Sequence, residues 1–188
     1  MVKQLIKKNY KKHNIISIYN DEEDSCRHFT GYIGAYNDKE LLIQHISPSG
    51  LYDGYIIVPR DTVYRLDCAG KYEEKIKLLY DIKKQRHQEI KIENNEILYS
   101  VLKFAKENNY IICAEFRESM VRGFIKKYNN EMIYIDVLTD FGDRDGISRI
   151  VLDEIDTFSV DTEEEQDLLL LLKQKTNYGT GRNKHTNS

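Results

Sequence analysis

Displaced by 92 residues, the chain aligns with itself without a gap, residues 31–68 falling on 123–160. Nine of those 38 positions are identical: Gly31, Ile33, Tyr36, Asn37, Ile43, Gly50, Asp53, Gly54 and Asp61 recur as Gly123, Ile125, Tyr128, Asn129, Ile135, Gly142, Asp145, Gly146 and Asp153. Chance matching would give about two, so the chain is read as two diverged copies of one unit. Other pairs keep their character, among them Tyr32 with Phe124, Leu41 with Ile133, Ile46 with Leu138, Val63 with Ile155 and Leu66 with Phe158. The same offset lays 73–80 on 165–172, charged at first and then apolar at helical spacing. Upstream, an offset of 96 lays Val2, Leu5 and Ile6 on Leu98, Val101 and Leu102. Each unit therefore reads helix, strands, helix. The expected organisation is a first repeat over 1–90, a second over 91–175, and a tail, 176–188, without apolar periodicity and expected to be disordered.

Local signals place the strands. Residues 14–19 and 110–116 are rich in β-branched side chains and follow helices that asparagines stop. Residues 29–36 and 41–47 flank Asn37-Asp38, a pair that tolerates the positive φ of a tight turn, and Tyr128-Asn129-Asn130 repeats it. After a glycine-bearing loop (50–54, repeated at 142–146) come two short strands, 55–58 and 63–67, joined by Pro59-Arg60-Asp61-Thr62 in what should be a single tight helical turn. The middle segment, 71–109, has neither Gly nor Pro and should hold two helices, the first with Ile76, Leu79 and Ile82 on one face, the second starting after Asn94 or Asn95 as N-cap. The fold class expected is mainly β with flanking helices, as two tandem five-stranded barrels.

In this strand order the unit resembles the Sm-like (LSm) family, whose fold is a short helix followed by a five-stranded barrel. Its first motif is matched by Gly31-Tyr32-Ile33-Gly34-Ala35-Tyr36-Asn37 with Leu41-Leu42-Ile43, and by Gly123-Phe124-Ile125-Lys126-Lys127-Tyr128-Asn129 with Ile133-Tyr134-Ile135, with a turn one residue shorter than the family's. Where RNA-contacting members carry an Arg-Gly pair, this chain has Pro59-Arg60 and Val151-Leu152. The resemblance thus implies barrel geometry more than RNA recognition. The corner Val58-Pro59-Arg60-Asp61-Thr62-Val63 resembles an SH3-like barrel nearly as well, and the two alternatives stay open.

Charge bears on the partner. The formal net charge is −3, but residues 1–92 carry 16 basic and 13 acidic side chains against 12 and 18 in 93–188, so the halves are +3 and −6. Proteins that hold phosphate backbones usually show a strong basic excess, so nucleic acid is not the default partner. No run of about 18 apolar residues suggests a membrane span and the N-terminus does not read as a signal peptide, which points to the cytoplasm. Cys26, Cys68 and Cys113 lack any CxxC spacing and read as reduced thiols. Two prolines, no tryptophan and fourteen tyrosines fit the AT-rich coding of a low-GC bacterium.

The candidate binding residues are Asn37, Asp53, Gly54, Asn129, Asp145 and Gly146 in the repeated loops, and Lys7, Lys8, Lys11 and Lys12 on the first helix. Asp53 and Asp145 could act as paired carboxylates, but Asp-Gly is also what a turn between strands requires. The lysines, with Lys3 and Tyr10, offer a surface for phosphate or a solvated helix face. Cys26 and His28 are two ligands, too few for zinc, and no cofactor motif is present. Five consecutive leucines, Leu168, Leu169, Leu170, Leu171 and Leu172, should be buried between the barrels or form a subunit interface, while eight acids over 153–167 could meet the basic N-terminal half of the same chain or of a second one. With no nucleophile elbow, phosphate loop or HExxH helix, the expectation is a non-catalytic cytosolic binding or scaffold protein with a protein partner, or self-association through 168–172. An RNA-binding Sm-like protein is the alternative.

Overall fold

The structure is a computed structural model that describes residues 2–24, 26–117 and 119–181, with side chains described through Lys175. Its elements run α1 (Val2–Lys12), β1 (Ile15–Tyr19), β2 (Phe29–Tyr36), β3 (Glu40–Ile46), β4 (Tyr52–Pro59), β5 (Arg65–Cys68), α2 (Lys71–Ile82), α3 (Ile97–Glu107), β6 (Ile111–Phe116), β7 (Ser119–Tyr128), β8 (Met132–Leu138), β9 (Arg144–Val151), β10 (Thr157–Val160) and α4 (Glu163–Gly181). The protein is mainly β with flanking helices. Among the described residues no helix is long and apolar enough to cross a membrane.

All ten strands form one antiparallel sheet in the order β5-β1-β2-β3-β4-β10-β6-β7-β8-β9. The order of the first five is repeated by the second five. Both copies also break register at the same place, between Ile33 and Ala35 and between Ile125 and Lys127. The two closed barrels are not formed, and the Sm-like and SH3-like readings fall with them. A barrel needs its outer strands to satisfy each other's edges, whereas β4 gives its second edge to β10 of the other half through Tyr55↔Val160, Ile56↔Ser159 and Ile57↔Phe158. The sheet stays open, with β5 and β9 each paired on one side only.

This seam determines where the core lies. Side chains alternate along a strand, so Ile56 and Val58 join Ile16, Ile18, Leu41 and Ile43 beneath α1, while Tyr55 and Ile57 point to the other face. There they meet Phe158, Ile112, Ile133 and Ile135 of the second half under α3. The inner face of one half thus runs into the outer face of the other. The connection 83–96 crosses this face, and Ile90 inserts into the same cluster. Two smaller clusters seat α2 on Ile15, Tyr32 and Ile46, and α4 on Ile111 and Leu138.

Several local expectations are corrected. Asn94 and Asn95 do not cap α3: both take left-handed backbone, φ 52° and 63°, and the N-cap is Glu96. Ile76 is buried on α2, but Ile82 is 65% exposed and Tyr80 holds the inward place. The corner 59–62 is a hydrogen-bonded turn, and the helical turn appears only in the second copy, at Leu152–Glu154. The leucine run does not lie between the halves. Leu168, Leu169 and Leu172 pack on the second half, and Leu170 and Leu171 face outward. Helix α4 takes in the first six residues of the expected tail, and 182–188 lie outside the described residues.

Candidate functional site at the seam and the free edge

The repeated Asp-Gly has two different settings. At the seam Asp53 is 9% exposed, and its Oδ1 accepts the Glu163 amide at 2.7 Å, capping α4. A carboxylate there satisfies an open N–H and meets the positive end of the helix dipole. Its Oδ2 lies 3.1 Å from His45 Nδ1, an ion-pair distance at which the ring is not aligned as a hydrogen-bond donor. Burial by itself would raise the Asp53 carboxyl, but His45 and the Glu163 amide outweigh it and hold the group below its ordinary value. Gly54 has φ +66°, and a Cβ there would overlap the Val160 carbonyl oxygen and Asp161 on the facing strand. Glycine therefore permits β4 and β10 to close.

The seam is tied from other directions. The Tyr52 hydroxyl donates to Asp161 Oδ2 at 2.8 Å, and the Arg27 guanidinium bridges to Glu115 at 2.8 and 2.9 Å. His87, on the connection, donates from Nε2 to the Gly54 carbonyl at 2.9 Å. That partner only accepts, so Nδ1 is left to accept the Tyr80 hydroxyl at 2.8 Å. Burial pushes His87 down to about 4, and it stays neutral at pH 7.

A cavity of about 300 Å³ opens along the seam, lined by His45, Asp53, Cys113, Arg122, Ser159 and Glu165 among others. Its groups are the nearest thing to a reactive constellation, and their states argue against one. Burial, with Glu165 adding to it, pushes the Cys113 thiol up to about 12, so it is no thiolate nucleophile at neutral pH. Glu165, 2% exposed, accepts from Thr162 N–H and Oγ1 and from Ser159 Oγ, closing the first turn of α4. Its counterpart Glu73 does the same for α2, accepting from Gly70 N–H and Ser17 Oγ. Arg122 pairs with Glu164 and Asp140, and its Nε is buried without a hydrogen-bond partner among the described residues. No cluster of three metal-ligating side chains occurs among the described residues.

At the free edge the same Asp-Gly meets nothing. Asp145 is exposed and, among the described residues, makes no side-chain hydrogen bond or ion pair, and Gly146, φ +76°, has no described atom within 4 Å of a Cβ built on it. Strand β9 around them is exposed except for Ser148 and Ile150, whereas all six inner residues of the equivalent β4 are buried. Ile147 and Val151 stand 43% and 45% exposed on it, and nearby Phe141 is 74% exposed. Asp53 and Asp145 do not converge, since β10, β6, β7 and β8 stand between their strands.

The other candidates are placed as follows. Asn37 Oδ1 closes its hairpin by accepting the Lys39 and Glu40 amides, and its Nδ2 ties the turn to the Asn95 carbonyl. Asn129 repeats the first role with Glu131 and Met132. Lys7, Lys8, Lys11 and Lys12 lie exposed along α1, without ion pairs among the described residues. Cys26 and His28 meet through the Cys26 carbonyl and His28 Nδ1, at 2.9 Å. Among the described residues the ion pairs of the acidic run are with Arg117 and Arg122 of its own half, and its side-chain tie to the first half is the Tyr52 hydroxyl on Asp161 rather than a basic side chain. Sequence reasoning missed His45, His87 and Arg122, which carry no periodic signal. Glu73 and Glu165 could have been found, because they coincide at the offset of 92. No protein-family model matches the chain, and no curated protein matches it.

Proposed function

We propose that this chain is a non-catalytic binding or scaffold protein of the cytoplasm, whose protein partner adds a strand to the open edge at β9. The carrying observation is the unequal treatment of equivalent strands, with β4 covered on both edges and β9 left as an eight-residue edge bearing exposed Ile147 and Val151. Exposed strand edges are templates for pairing, and main-chain hydrogen bonds supply affinity while alternate side chains supply selectivity. The buried titratable groups support a non-catalytic role, since Asp53, Glu73 and Glu165 are all occupied in capping helices. The unpaired thiols Cys26, Cys68 and Cys113 fit a reducing compartment. A photo-crosslinking residue at position 147, introduced into the full chain in cells, should yield protein adducts that an equivalent probe at exposed Lys84 does not. Equal adducts at both sites would overturn the reading.

A second reading, RNA binding, is favoured by one feature. The exposed lysines of α1 lie on the helix whose Tyr10 lines two adjoining cavities, of about 520 and 730 Å³, that share Tyr10, Gly34, Gln44 and Glu89, and His13 stacks on Tyr32 at 4.3 Å beside them. A cationic helix beside aromatic faces is the arrangement that holds single strands. Filter binding at about 50 mM salt decides it, because such binding must be strong there and fall steeply as salt rises.

A further inference from the structure

We infer that the partner at the open edge is a second copy of this chain, joined head to tail: β9 of one copy pairs antiparallel with β5 of the next, in the register of the internal seam. This rests on the reading of β9 as a binding edge. The β4–β10 seam is a worked example of how two units meet. By the 92-residue offset β4 corresponds to β9 and β10 to β5, and these two counterparts are the strands left at the ends of the sheet. They also match in length, eight residues for β4 and β9 and four for β10 and β5. Carried across, the seam pairs Tyr55↔Val160, Ile56↔Ser159 and Ile57↔Phe158 place Ile147 opposite Cys68, Ser148 opposite Asp67 and Arg149 opposite Leu66.

Two residues left idle in one copy gain a role in the joint. Asp145 corresponds to Asp53, which caps α4 at Glu163, and the counterpart of Glu163 is Lys71, the first residue of α2. The N-cap of that helix is Gly70, which has no side chain to cap it, and the Lys71 amide makes no hydrogen bond among the described residues. One end of the sheet therefore offers an unused carboxylate and the other an open helix N-terminus. The empty space over Gly146 is where, at Gly54, the facing strand lies. Charge agrees, since the joint sets the half of charge −6 against the half of +3.

The joint is weaker than the seam. Where the seam presents Ala35, Leu42 and Ile57 to α3, the second half has Lys127, Tyr134 and Arg149, with both cations over the tyrosine ring at 4.4 and 5.9 Å. Without an apolar cover the association is reversible, with a Kd roughly in the micromolar range of small interfaces. Because the contact is heterologous, it grows until it closes into a ring or continues as a fibre.

The test uses the full chain carrying Cys26→Ser and Ile147→Cys. Facing Cα atoms in an antiparallel pair are about 4.5–5.5 Å apart, within disulfide reach. Mild oxidation should give a ladder of linked multimers, with a peptide joining Cys68 to position 147, that falls with dilution and disappears when Cys68→Ser is added. In sedimentation, Asp145→Lys should weaken association about tenfold with an unchanged melting curve. A monomer at every concentration with no such linkage overturns the inference, as does association indifferent to Asp145→Lys. A different protein cross-linked at position 147 overturns self-association while the edge reading stands, and no protein of any kind at that position removes both.

Discussion

The seam at β4 and the free edge at β9 carry the same Asp-Gly at the same place in the repeat, yet one is buried and bonded and the other is bare. What differs is the strand opposite. Beside β10, Asp53 becomes a helix cap and Gly54 a point of close backbone approach, while Asp145 and Gly146 retain only the turn. A short motif therefore states what a loop can do, and the neighbour across the sheet edge decides what it does.

Breaking the seam should cost most at its apolar centre. Phe158, 1% exposed and opposite Ile57, should lose about 3–5 kcal/mol on Phe158→Ala, whereas its counterpart Leu66, only partly buried at the sheet's end, should lose much less on Leu66→Ala. Urea unfolding of both variants measures the difference, and equal losses would show that the seam is not special.

Acid should come next. His87 is held neutral, and its lowered folded-state value means that it resists a proton the unfolded chain accepts. Stability is therefore full above pH 6.5, falls as pH drops from about 6.5 toward about 4, and levels below. That shift amounts to about 3 kcal/mol. His87→Gln should flatten this part of the stability curve, and an unchanged slope would remove His87 from the account.

The glycines and aspartates sharpen the comparison further. Gly54→Ala should cost about 2 kcal/mol or more, combining positive φ with the overlap on Val160, while Gly146→Ala should cost only about 1 kcal/mol from the backbone. Asp53→Ala should lose about 1–2 kcal/mol with its cap. Asp145→Ala, measured below the concentration of any self-association, should stay within about 0.5 kcal/mol. Thermal melts of the four variants check both pairs.

The sequence carried what is local and what is repeated. Local signals and the repeat together located all ten strands to within a few residues, β1 and β6 by their β-branched runs and the other eight by the offset of 92, because alternation, β-branching and Asn turns act over a handful of positions. Asn37 and Asn129 close their hairpins because that chemistry is complete within three residues. Closure was not legible, since whether β4 pairs within its own unit or with β10 depends on residues about 100 positions away. The His45–Asp53 contact and the cap on Glu163 were hidden for the same reason. Asn94 and Asn95 misled because a residue suited to capping is equally suited to left-handed backbone.

The exchange of faces at the seam makes this repeat indivisible as a solid body. Tyr55 and Ile57 belong to the first copy by ancestry and to the second copy's interior by packing, and Ile90 fastens the connection across both. A fragment ending at residue 90 would leave Ala35, Leu42, Tyr55 and Ile57 wet, and its complement would lack the floor beneath α3. Duplication here produced two recognisable texts but a single object, which stands or melts as a whole.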